Sequence, residues 1–219
     1  MFAREAAWVA GALLEHDAGE ISPMLNIGAS TLQFRKVDRP WIHQDLIAPL
    51  EAHGVAITHL DLKTAEGVDI AADITTEDGF AQAKAVGARA LMLCNLLEHV
   101  PDPAALTHKA MALVEPGGLV VVTVPYSYPY HRDPIDTLFR PTPDEVAALF
   151  PGATIVKSEI LPCGSYRDNV AARPWILLRP VLRFPFPFLG WTKWKRSIGK
   201  LYWLFRPYLI TCVVLRTPS

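Results

Sequence analysis

ALMLCNLLEHVPDP at residues 90–103, VEPGGLVVVTVPY at 114–126 and SYPYHRDPIDTLFRPT at 127–142 decide the fold. Two short apolar runs each end abruptly in polar residues, the pattern of buried parallel strands with functional loops hanging from their C-terminal ends. That reading puts ligand-binding loops at residues 95–99 and 125–140.

Outward from this stretch the same punctuation recurs. A helix at the start of the chain precedes a short apolar strand at 24–27, which stops at Gly28 and small polar residues. A helical face at 46–53 ends at Gly54, and a second strand follows at 55–61, closed by Asp61. A shorter strand is expected at 68–73, a helix at 80–86 stopped by Gly87, the fourth strand at 90–95 and a helix at 103–114. Glu115-Pro-Gly-Gly then launches the fifth strand at 119–124. Residues 143–150 form a helix, and 153–161 and 209–215 two further strands. Parallel neighbours need crossovers, and crossovers cover the sheet, so the expected fold is α/β: a doubly wound, Rossmann-like sheet of about seven strands. With 219 residues, 51% hydrophobic and 20% charged, one core is the default. It takes residues 1–170 and 207–219, with a basic, aromatic insertion at 171–206 before the last strand.

Composition narrows the setting. Cys94, Cys163 and Cys212 are far apart, odd in number and lack any CxxC, which supports neither a disulfide framework nor a zinc site. Arg4, Glu5 and Glu15 interrupt the first apolar stretch, so it reads as a helix and not as a signal peptide. No charge-free run of about 20 apolar residues is present to cross a bilayer. A cytoplasmic protein is expected. The net charge of −1 hides an asymmetry: residues 1–170 hold all 22 acids and 12 of the 21 Lys and Arg, a balance of −10. The remaining 49 residues hold nine cations and no acid, a balance of +9, as for a segment that faces something anionic.

The order of motifs resembles the class I S-adenosylmethionine-dependent methyltransferases, in the branch with LEH after strand four and a PGG turn before strand five. The residues that carry the resemblance are Asn95-Leu-Leu-Glu-His-Val, Glu115-Pro-Gly-Gly, His131-Arg-Asp-Pro-Ile-Asp and Arg140-Pro-Thr. It covers roughly residues 23–161 and resumes at the last strand. The resemblance implies S-adenosylmethionine as cofactor. Its methionine carboxylate would lie on the first loop, Asn26, Gly28, Ala29 and Ser30, where a single glycine stands for the family's usual three. Asp61 would accept both ribose hydroxyls. Asp73 would read the adenine amino group while Ile74 packs on the ring, and Asn95 and Leu96 would line the sulfonium side. Outside that context an Asp after a strand is a turn former and an Asn there a helix cap. Residues 34–44 look inserted relative to the family.

Methyl transfer from a sulfonium is an in-line displacement, so the protein chiefly aligns the acceptor and excludes water. A base is needed only for a hydroxyl-like acceptor, and His131 in the loop after strand five is the candidate. Tyr128, Asp133, Asp136 and Arg140 share that loop and are candidate acceptor contacts; the alternative is a structural knot of His131, Asp136 and Arg140. His99 is expected to bond locally with Glu98, and His43, His53 and His59 to be surface or turn residues. No metal is expected.

Residues 173–206 mix nine aromatics with eight Lys or Arg, the composition of a segment lying in a membrane interface. This points to an anionic membrane surface at the inner face as partner, and to a small-molecule or lipid-linked acceptor such as a sugar hydroxyl in envelope glycan synthesis. A lid whose aromatics are core is the close competitor. Nucleic acid fits less well, because the −10 body repels a polyanion. Two other functions stay open: a degenerate methyltransferase-fold binding module attached to a membrane or a partner enzyme, and, against the missing GxGxxG, a nicotinamide dehydrogenase.

Overall fold

A computed structural model describes the chain apart from residues 132–134, 186, 187 and 189, and describes no side chains at 179, 180, 183, 193, 196 and 197. Seven strands form one sheet: β1 Met24–Ile27, β2 Ile57–Asp61, β3 Ile70–Ala71, β4 Ala88–Cys94, β5 Val114–Ser127, β6 Thr154–Ser165 and β7 Pro207–Arg216. Their order is β3-β2-β1-β4-β5-β7-β6. Neighbours from β3 to β5 are parallel, whereas β7 runs antiparallel to both β5 and β6. The expected parallel sheet is therefore mixed at one edge. The helical segment after β6 leaves and returns at the same end of the sheet, so β7 has to run back. Strand order reverses between β1 and β4, and the loops above that switch point form the crevice where such sheets bind ligands.

Helices α1 Ala3–Leu13, α2 Ala18–Ile21, α3 Ala48–Ala52, α4 Glu77–Lys84, α5 Pro103–Leu113 and α6 Pro143–Ala147 cover the two faces. Alternation along β4 explains the division. Leu91 and Leu93 enter one core with Leu106, Ala110 and Phe150, while Ala90 and Met92 enter the other with Val9, Leu13 and Leu46. All are at most 7% exposed, and each buried Leu or Met contributes about 1.5–3 kcal/mol. Caps fix the helices that follow the functional loops. Asp102 accepts from the Ala105 N–H ahead of Pro103, and Thr142 exchanges hydrogen bonds with Glu145 in a capping box.

Residues 34–47 depart from expectation. They are helical, with π-helical stretches at Phe34–Asp38 and His43–Ile47 that run into α3. Phe34, Trp41, Ile42, Leu46 and Ile47 pack in the α1 core, so the inserted residues thicken one layer. Between β6 and β7 lie α7 Tyr166–Ala172, a 3-10 turn Pro174–Leu177, α8 Leu178–Arg183 and α9 Trp191–Tyr202. Their aromatics do not form a core: Trp175, Phe184, Phe188, Trp191, Tyr202 and Phe205 are all more than half exposed. Trp191 and Trp194 stack at 5.2 Å, Lys195 lies over Trp191 at 4.9 Å, and Arg206 covers Tyr202 at 4.6 Å. Phe186 lies outside the described residues. Among the described residues no helix is long and apolar enough to cross a membrane.

Candidate functional site

The loops at the C-terminal ends of β1, β2, β4 and β5 carry the candidate residues. After β1 the chain turns through Gly28, whose φ is +75° and where an added Cβ would stand 3.1 Å from the Leu96 Cδ1. Only glycine passes beneath Leu96 in this conformation. The Asp61 carboxylate, at the end of β2, accepts from the Ser30 N–H at 2.8 Å and from the Lys63 N–H at 3.1 Å. Each oxygen uses one backbone donor and keeps further acceptor capacity. Asn26 does not face a ligand with its amide nitrogen, which lies 3.2 Å from His59 Nδ1. His59 is thus no surface residue: burial, reinforced by Arg35, holds its pKa down at about 4.

Arg35 organises this loop and was invisible as a motif. It is 3% exposed and donates to the carbonyls of Ala29 at 2.8 Å, Ser30 at 2.7 Å and Gly67 at 2.6 Å. Burial disfavours its charge, and Asp69, Asp61 and Glu51 oppose that. Gly67, with φ +77°, admits the guanidinium, since a Cβ there would stand 2.8 Å from an Arg35 nitrogen.

Asp73 is exposed and accepts from the Thr75 N–H and hydroxyl, so its Oδ1 serves the turn before α4. Ile74 is 2% exposed and sits in the core, where it supports that turn instead of presenting a free face to a base.

Asn95 has φ +50° and extends the β4 edge, its N–H donating to the Thr123 carbonyl. It caps no helix. Its amide nitrogen and the Thr123 hydroxyl both donate to Glu5 Oε1, at 2.5 and 2.6 Å, while Glu5 Oε2 accepts from the Phe2 N–H at 2.9 Å. Glu5, fully buried on α1, is thus a structural centre of the site floor. Charged residues in the first turn had argued only against a signal peptide.

In the loop after β5, Asp136 is the hub. Its carboxylate accepts from the His131 and Leu138 N–H groups and from Arg140 at 2.7 Å. Desolvation pushes its pKa up, but these bonds outweigh it and hold it at about 2. The knot of His131, Asp136 and Arg140 is present. Tyr128 stands edge-on to His131 at 5.2 Å and to Tyr208 at 4.9 Å. Burial raises the Tyr128 phenol and lowers His131, the latter against Asp136. Asp133 lies outside the described residues. His99 does not bond locally as expected: its Nδ1 lies 2.5 Å from the Ile135 carbonyl oxygen, across the gap between the two loops. Burial lifts the Glu98 carboxyl to about 8.

No family profile matches the sequence, and no curated protein matches it either. Solved structures do match. Coclaurine N-methyltransferase bound to N-methylheliamine and S-adenosylhomocysteine superposes with a TM-score of 0.56 at 12% identity, covering 96% of this chain and 69% of that one. The 1,6-didemethyltoxoflavin-N1-methyltransferase of Burkholderia thailandensis gives 0.51 at 17% identity, over 99% and 78% of the two chains. An S-adenosylmethionine-dependent methyltransferase from Mesorhizobium loti gives 0.50 at 17%, over 98% and 99%. The chain therefore has the class I S-adenosylmethionine-dependent methyltransferase fold.

Proposed function

We propose that this chain is an S-adenosylmethionine-dependent methyltransferase for a small or lipid-linked acceptor. The observation that carries the reading is the juxtaposition of Gly28, pressed against Leu96, with Asp61, whose carboxylate retains acceptor capacity beside the same turn. These residues fit an adenosyl group: a close backbone approach, an apolar wall and a carboxylate for a vicinal diol. Ala29 and Ser30 complete the turn, and Asn95 contributes its amide oxygen. Three of the matching folds are named as methyltransferases of small molecules or for this cofactor, which supports the assignment. When bound, the cofactor supplies an electrophilic methyl group. The protein's own residues hold and orient: Asp61 fixes the nucleoside end, and Tyr128 and Arg140 border the acceptor side, Arg140 being held by Asp136. An envelope sugar hydroxyl is the acceptor that fits a membrane-bound enzyme.

Calorimetric titration tests this. S-adenosylmethionine binds the parent chain, NAD does not, and Asp61→Ala weakens binding about 100-fold, as loss of two charge-assisted hydrogen bonds implies. Equal binding by Asp61→Ala refutes the site. A chain that binds neither nucleotide is the non-catalytic binding module, a reading favoured by the engagement of both Asp61 oxygens with its own backbone.

Residues 173–206 serve as the contact with an anionic membrane at the inner face. Support comes from the exposed aromatics and from eight cations without an acid, each near an anionic leaflet contributing about 1 kcal/mol. Sedimentation with anionic vesicles at low salt pulls the chain down, neutral vesicles leave it in solution, and salt releases it. No binding to anionic vesicles removes the membrane role, and competition by RNA at equal charge would replace it.

A further inference from the structure

Glu98 follows β4 in the 3-10 turn Leu97–His99, its side chain 1% exposed, and neither carboxyl oxygen has a hydrogen-bond partner among the described residues. A buried carboxyl group without donors is costly unless a cation or a proton meets it. Two imidazoles stand beside it. His99 Nε2 lies 3.8 Å from Glu98 Oε1, and the His131 ring is edge-on to His99 at 5.1 Å. One donor atom from each of Glu98, His99 and His131 lies within 4.8 Å of the other two.

We propose that Glu98, His99 and His131 form a binding site for a divalent transition-metal ion. The far side of the His99 ring is arranged as in metal-bound histidines, which give their second N–H to a carbonyl or a carboxylate and so fix tautomer and orientation. His99 Nδ1 meets the Ile135 carbonyl at 2.5 Å, whereas His131 Nδ1 lies 3.3 Å from Asp136 Oδ2, itself held by Arg140, without a hydrogen-bond partner among the described residues. His99 thereby presents Nε2 toward Glu98. A tetrahedral ion with bonds of about 2.1 Å sets its ligands about 3.4 Å apart, a gap that small rotations of the two half-buried rings close. Two imidazoles and one carboxylate select Zn²⁺, Fe²⁺ or Co²⁺ over Mg²⁺ and Ca²⁺. Three protein ligands leave one position of such a site for solvent or another oxygen. Under this proposal His131 would serve as a ligand where its place in the sequence suggests a general base, and a metal would stand where none is expected from the sequence. Spacing along the chain could not show the site, because its ligands come from the ends of two different strands.

Metal binding is tested apart from methyl transfer. The full chain is stripped with a chelator and titrated with Co²⁺, followed by calorimetry and visible absorption. One equivalent binds, with a tetrahedral d–d spectrum. Glu98→Gln, His99→Asn and His131→Asn each weaken binding at least 100-fold, whereas His16→Asn with His53→Asn leaves it unchanged. Should Glu98→Gln not fold, His131→Asn decides, since that side chain is 32% exposed. Binding that survives His131→Asn, or no binding to the parent chain, overturns the proposal. A site that takes Mg²⁺ and rejects Co²⁺ overturns the ligand assignment.

Discussion

Arg35→Met is expected to remove about 3–5 kcal/mol of stability, a large part of what a domain of this size has in total. The argument starts from three carbonyls. Ala29, Ser30 and Gly67 each receive one guanidinium N–H at 2.6–2.8 Å, and no water-sized path is needed to satisfy them while Arg35 stays 3% exposed. Methionine matches the aliphatic stem but leaves those acceptors without donors, at about 1–3 kcal/mol for each that stays buried. It also strips the positive charge that Asp61 and Asp69 face. Arg35→Lys is not a rescue, because a point ammonium cannot span two loops with a planar fork. Urea unfolding checks this: the midpoint falls for both variants, further for Met. The turn at residues 28–30 should loosen in parallel, since Arg35 ties residues 29 and 30 to the loop at Gly67. A Met variant as stable as the parent would show that the guanidinium is replaceable by solvent.

The sheet was legible because its signal is local. β1 matches residues 24–27 to the residue, and β4 and β5 are runs whose alternate side chains enter opposite cores, a pattern that apolar stretches of that length carry by themselves. β7 was found as a strand, but its direction was not in its residues; it depends on where a 40-residue detour begins and ends. Of the candidate site, Gly28 and Asp61 stand at the strand ends where the sequence put them. The site was illegible where function is made by convergence. Glu5 meets Asn95 and Thr123 across 90 and 118 positions of sequence, Arg35 bridges to Gly67, and Glu98 meets a histidine 33 residues later. Nothing in the composition of a helix marks which of its acids will be buried. The π-helical turns were missed for a related reason: Phe34, Val37, Trp41 and Ile42 stand at helical spacing, but spacing does not tell a π-helical turn from an α-helical one, and packing of Phe34, Trp41 and Ile42 in the α1 core decides their conformation.

Glu5→Leu is expected to lower stability by about 3–5 kcal/mol, and the melting temperature of a 219-residue chain by roughly 6–20 °C. The carboxyl group accepts three hydrogen bonds in a site with no exposure, and leucine satisfies none of them. The Thr123 hydroxyl is then a buried donor, and the Asn95 amide a half-buried one, facing a methyl group, which for the buried hydroxyl costs more than the bond itself contributed. Glu5→Gln should fall between, since its single carbonyl can serve Asn95 and Thr123 but its NH₂ opposes the Phe2 N–H. The double variant Glu5→Leu with Thr123→Val separates burial of a polar group from loss of packing. Removing the orphaned hydroxyl restores part of the stability if unsatisfied polarity is the cause, and restores none if α1 has simply shifted. Calorimetric melting of the four chains gives the answer. The same helix carries Phe2, which stacks on Tyr208 at 5.8 Å and meets Tyr128 edge-on at 5.9 Å, so loosening it moves the wall of the acceptor loop. Glu5 therefore acts as a positioning residue. Its loss should raise the KM for the acceptor more than it weakens cofactor binding at Asp61, which rests on a different strand and a different loop.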